Sequence, residues 1–174
     1  MNPVTNQPKN TPKDDAQRSA STLEVFSDGG YLSKLNIGGW GVVIIENNQS
    51  TYTNLGACRT QSSLEMELLA AVKALEVANN SQKPNQTILL HTDSRILIEG
   101  LEGKIDRYKQ QDWLHLSGRP VESRALWERF KCLTLQPNVQ VKWVKGHNGN
   151  LGNQMADQLA RQAIESYLKE LHHH

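Results

Sequence analysis

The feature that most constrains the fold is a change of hydrophobic period near Ser62. Upstream of it the apolar residues come in short β-type runs, and downstream they recur at helical spacing. Thr22–Ser27 alternates around Leu23, Val25 and Phe26 and is stopped by Asp28-Gly29-Gly30. Trp40–Ile45 is a β-branched run and Thr51–Cys58 is a third segment, with Asn47-Asn48 turning the chain between them. Three strands joined by such short connections imply an antiparallel meander.

Beyond the switch, Ser62 or Ser63 caps a long helix with Leu64, Leu68, Ala71 and Leu75 on one face, ended by Asn79-Asn80 and Pro84. Thr87–His91 is a short apolar strand of the buried type. Ser94 caps a helix carrying Ile96, Leu97 and Leu101 that stops near Gly103. Pro120 opens another, through Leu126, Trp127, Phe130 and Leu133. Val139–Val144 is a fifth strand, and Leu151–Leu171 an amphipathic helix with Met155, Leu159, Ala163 and Tyr167 on its stripe. The order βββαβααβα predicts an α/β fold. Its sheet is mixed and five-stranded, three strands antiparallel and then two parallel, with helices on both faces.

Residues 1–21 hold three of the six prolines and little apolar content, which predicts a disordered tail before a domain over 22–171. His172–His174 resembles a purification-tag remnant. No stretch reaches a membrane span and the N-terminus lacks a secretory pattern, which together point to the cytosol. Cys58 and Cys132 lie among apolar neighbours without metal-ligand spacing and read as reduced, half-buried thiols. No exposed heptad or large apolar patch is evident, which predicts a monomer. The net charge of +1 gives no global argument for a nucleic-acid partner, so any such argument is local.

The acids supply it. Asp28 ends the first strand and Asp93 the fourth; if these strands are parallel neighbours, both carboxylates share one edge of the sheet. Glu67 lies one turn into the helix after the meander, and Asp157 about two turns into the last helix. Singly, each reads as a turn, cap or solvated position. Together, with no close Lys or Arg, they would repel one another strongly and so ask for divalent cations. Oxygen-only ligands favour Mg2+ or Mn2+ over zinc, and two such ions about 3.5–4 Å apart suit phosphodiester hydrolysis.

The strings FSDGG (Phe26–Gly30), MELLAAVKALE (Met66–Glu76), TDSRIL (Thr92–Leu97) and VKGHNGNLGNQMADQLA (Val144–Ala160) resemble the type 1 ribonuclease H family over about residues 22–170. The resemblance implies a nuclease cutting the RNA strand of RNA/DNA hybrids, with 5′-phosphate and 3′-hydroxyl products. It implies that Asp28, Glu67, Asp93 and Asp157 bind two Mg2+ ions. Glu67 would also read a 2′-hydroxyl and orient the water. His147, in a glycine-flanked loop, would assist proton movement and product release, and Asn153 would support that loop. Of the two acids in Glu65-Met66-Glu67, the MEL match selects Glu67 and leaves Glu65 to solvent or a flanking charge.

Substrate contacts are expected from Gly29, Ser62, Ser63, Arg95, Lys109, Trp113 and Asn153. Two positions depart from the family: Leu64 stands where a polar residue is usual, and Arg95 where Gln is. The segment from Lys104 to Lys131 resembles the family's basic protrusion, with seven basic residues against four acids. Tyr108 and Trp113 interleave with these charges as stacking or packing groups, while Trp127 and Trp143 read as core. Integrases, transposases and Holliday-junction resolvases share the sheet but lack the MEL helix and the GHNGN loop. A non-catalytic hybrid-binding module would have lost one of the first three acids. The protrusion and Met1 favour a free enzyme over a domain of a longer protein.

Overall fold

The computed structural model describes residues 21–146 and 149–172. The predicted tail (save Ser21), His147, and the last two histidines lie outside the described residues. Five strands, β1 (Thr22–Leu32), β2 (Ile37–Glu46), β3 (Gln49–Arg59), β4 (Thr87–Thr92) and β5 (Val139–Trp143), form one sheet in the order β3-β2-β1-β4-β5. The meander pairs antiparallel, and β1-β4 and β4-β5 pair parallel, as the sequence predicts.

Helix α1 (Ser63–Ser81) packs on one face of the sheet and α5 (Leu151–His172) on the other. Glycines on the central strands set these distances. A Cβ on Gly38 would lie 2.4 Å from Met66 of α1, and one on Gly41 would lie 2.1 Å from the Ala156 carbonyl oxygen of α5. The larger core lies under α1, where Val25, Leu68, Leu75, Leu90, Leu97, Trp127 and Phe130 are buried. Each such side chain stabilises the fold by about 1.5–3 kcal/mol. Phe26, Val43 and Ala156 form a second cluster under α5.

Several boundaries differ from expectation. Strand β1 runs through Asp28-Gly29-Gly30 to Leu32, because β2 keeps pairing with it as far as Leu32↔Ile37. Asp28 is therefore inside a strand, two residues past the end of the parallel ladder with β4. The helix after Ser94 does stop at Gly103, as expected, but a further short helix that the sequence does not predict follows it at once. Helix α2 (Arg95–Glu99) is joined across Gly100–Lys104 to α3 (Ile105–Gln110), and Gly103, at φ 127°, takes the kink. Pro120 opens no helix; it pairs with Leu114 in an isolated bridge, and α4 (Arg124–Thr134) starts after Ser123 in the left-handed region. Ser21 is tied to the sheet, its carbonyl accepting from the Thr87 N–H at 3.0 Å. Cys58 is half-buried as expected, whereas Cys132, on the outer side of α4, is exposed. Among the described residues no helix is long and apolar enough to cross a membrane.

Candidate active site

Parallel pairing of β1 and β4 fixes the first two acids. The last paired residues are Phe26 and His91, and Asp28 and Asp93 each stand two residues beyond them, so they lie at the same level past the end of this ladder. Beneath them the Phe26 and His91 rings stack at 4.4 Å between centroids and 9° between planes. Burial holds the His91 imidazole below its usual range, opposed by Glu24 at 3.4 Å.

Glu67 comes from the first turns of α1. Ser62 is the N-cap, its Oγ accepting from the Glu65 N–H at 3.2 Å. Gly29 lets this helix approach, since a Cβ there would lie 2.5 Å from the Glu67 backbone nitrogen. The result is a triad: one carboxylate oxygen each from Asp28, Glu67 and Asp93, all within 4.8 Å of one another. Asp28 is only 9% exposed.

The electrostatics follow. Burial, then the charges of Asp93 and Asp157, raise the Asp28 carboxyl to about 7, and the Gly29 N–H only partly offsets this. Burial, then Asp28 and Asp93, raise Glu67 to about 9. Three acids this close, with no cation among the described residues pairing with them, suit a divalent metal ion.

Asp157 stands beside this triad rather than in it. It touches Asp28, but its carboxylate is bound by Arg161 one turn later on α5, at 3.0 Å. The expectation of an acid cluster with no close Arg or Lys is thereby corrected. The i, i+4 spacing of Asp157 and Arg161 was the readable signal. Asn153 donates from Nδ2 to the Asp93 carboxylate at 3.4 Å, and its own backbone N–H is held by Asn150 at 3.2 Å. Gly146 passes so close that a Cβ would lie 2.8 Å from Asp93 Oδ2.

The other candidates divide. Ser63 is exposed at the start of α1, and Lys109 is exposed on α3. Ser62 is engaged: its Oγ caps α1 and donates to Glu122 Oε2 at 3.2 Å. Leu64 packs on the core. Glu65 is not left to solvent, because the Thr60 hydroxyl donates to it at 2.5 Å. Trp113 is 6% exposed and sits in the core, its ring 6.0 Å from Tyr108, which favours packing over stacking on a substrate. Trp127 is core as expected. Trp143 is only half-buried: its indole N–H donates to the Asp93 carbonyl at 3.1 Å, and the Arg95 guanidinium lies 3.6 Å over its ring.

Residues 20–165 match the RNase H family model. The chain belongs to the ribonuclease H family. It is 36% identical over 152 residues to the ribonuclease H of Nitrosomonas eutropha, covering 85% of this chain and 93% of that one. Identity to the ribonuclease H of Ruthia magnifica is 37% over 141 residues, covering 81% and 94%. Among solved structures, LC9-RNase H1, a type 1 RNase H with the type 2 active-site motif, matches with a TM-score of 0.66 at 22% identity, over 87% of this chain and 75% of that one. A foamy viral protease-reverse transcriptase in complex with an RNA/DNA hybrid matches with a TM-score of 0.71 at 15% identity, over 95% and 23%. The family membership agrees with the motifs. Within this ribonuclease H fold the acid triad stands at the end of the parallel ladder, where open α/β sheets build their sites.

Proposed function

We propose that the chain is an endonuclease that hydrolyses the RNA strand of RNA/DNA hybrids, leaving 5′-phosphate and 3′-hydroxyl ends. The observation that carries this is the triad of Asp28, Glu67 and Asp93, whose oxygens lie within 4.8 Å and which no cation among the described residues pairs with. These residues would hold Mg2+, with Asp157 completing a second ion's site and Mn2+ able to substitute. When bound, the ions supply the charge that makes a water nucleophilic near neutral pH and stabilises the leaving oxygen.

The protein's own groups set the geometry. Asp28 and Asp93, set at the same level by the parallel register, would be the shared ligands. Glu67 would orient the water and accept a 2′-hydroxyl bond, the group that distinguishes RNA from DNA. Asn153 holds the Asp93 carboxylate, and His147 would move protons and ease product release. Substrate contacts would come from the Gly29 backbone, Ser63, Arg95 and the exposed Lys109. Ser62 would first have to exchange its bond to Glu122, and Trp113 would act through packing.

The test compares labelled RNA/DNA, RNA/RNA and DNA/DNA duplexes with Mg2+ and with EDTA. Only the hybrid is cut, only with metal, and Asp28→Asn lowers kcat by at least about 100-fold. Equal cutting of double-stranded DNA would overturn the reading. For His147→Ala we expect turnover to slow about tenfold with hybrid binding kept; lost binding with unchanged turnover per complex would remove the release role.

A further inference from the structure

Asp93 must present its carboxylate in one orientation, yet it stands beyond the last hydrogen bond of its own strand. The β4-β5 ladder ends at Thr92↔Trp143, and its final tie is the Val144 N–H donating to the Thr92 carbonyl at 2.8 Å. The next residue turns out of the sheet toward α2, where the Ser94 N–H turns back to the Thr92 hydroxyl at 3.1 Å. Between these two ties the Asp93 carbonyl lies outside the β4-β5 ladder, and the Trp143 indole N–H donates to it at 3.1 Å. A side chain of β5 thus ties the backbone of β4 one residue past the end of their ladder.

The same ring has a second use. Arg95 is exposed, forms no ion pair among the described residues, and lies over the Trp143 ring with its Cζ 3.6 Å from the centroid. The other arginines of the α2–α4 region that touch an acid, Arg124 and Arg129, are held by carboxylates at 3.2 and 2.8 Å. A guanidinium held by an aromatic face keeps its full charge and its outward N–H groups.

We infer that Trp143 is a positioning residue for this site: its N–H sets the backbone of Asp93, and its face sets Arg95 for an anionic strand. The inference rests on the reading of Asp93 as a metal ligand. One ring therefore aligns an acid that faces the metal and a cation that faces the substrate. The two functions are separable, because the N–H and the π face are different parts of the indole.

The experiment uses the full chain with Trp143 replaced by benzothienylalanine, which keeps the ring shape and removes only the N–H. Mn2+ binding to the metal-free protein is followed by calorimetry, and hybrid KM and kcat are measured at saturating Mg2+. We expect Mn2+ affinity to fall on the order of tenfold, as for partners that orient metal ligands, while KM stays within twofold. Trp143→Leu loses the face as well, so its KM also rises severalfold. Equal melting temperatures for wild type and the benzothienylalanine variant separate alignment from stability. If that variant binds Mn2+ as wild type does, while Asp93→Asn does not, the positioning role is overturned. If wild type itself binds no Mn2+, it is the metal reading of the site that fails.

Discussion

Asp28 and Glu67 concentrate the site's electrostatic cost in two side chains. Both titrate higher in the fold than in the unfolded chain, at about 7 and about 9, chiefly because they are buried. A carboxyl raised in this way costs no stability below the ordinary carboxylate range. Its penalty grows as pH rises from the unfolded value up to the folded one and then levels off, because over that range the fold keeps a proton that the unfolded chain has already released. Asp28→Asn or Glu67→Gln should therefore stabilise the metal-free protein at pH 8, by about 1–3 kcal/mol. The gain should vanish near pH 4. Urea unfolding in EDTA at both pH values checks this, and a variant less stable than wild type at pH 8 contradicts it. Divalent ions should reverse the penalty and release protons as they bind.

Among the elements, β2 and α5 fit closely. Small residues on both sides let the Ala156 carbonyl sit over Gly41, and Asp157 is the next residue along that helix. Gly41→Ala would drive a methyl group into backbone that has no rotamer to escape by. We expect it to cost about 2 kcal/mol, read as a fall of several degrees in melting temperature, and to lower activity by moving Asp157. Gly118→Ala is the informative comparison. It lies in open space at the tip of the protrusion, so only its positive φ of 79° opposes the change, worth about 1 kcal/mol. If the two variants melt alike, the close approach of α5 to β2 is not what holds that helix.

For the molecule as a whole, the question is how a chain of net charge +1 grips a polyanion. In the protrusion, Lys104, Lys131, Arg124 and Arg129 are spent on Glu99, Asp106, Glu128 and Glu76. Arg107, Lys109 and Arg119 form no ion pair among the described residues. Hybrid binding should accordingly be weak and salt-sensitive. Lys109→Ala should reduce the slope of log Kd against log salt by about 0.9, and Arg129→Ala by much less. Equal slopes for both variants would show that pairing does not decide which cations reach the phosphates.

The residues themselves determined the order of the strands and of all the helices but α3, the meander, and the choice of Asp28, Glu67 and Asp93 as candidate acids. All of these follow from local period, caps and short strings, which report what lies within a few residues along the chain. The same information placed Trp127 in the core. It could not tell that Trp113 is buried, that Ser62 answers to Glu122 sixty residues away, or that the Trp143 N–H lies against the Asp93 carbonyl fifty residues away. A hydrophobic period tells which face of an element turns inward, but not which side chain from another element meets it. Those meetings depend on strand register and helix approach, and here they rest on the β4-β5 pairing and on glycines that only the packed structure shows to be necessary.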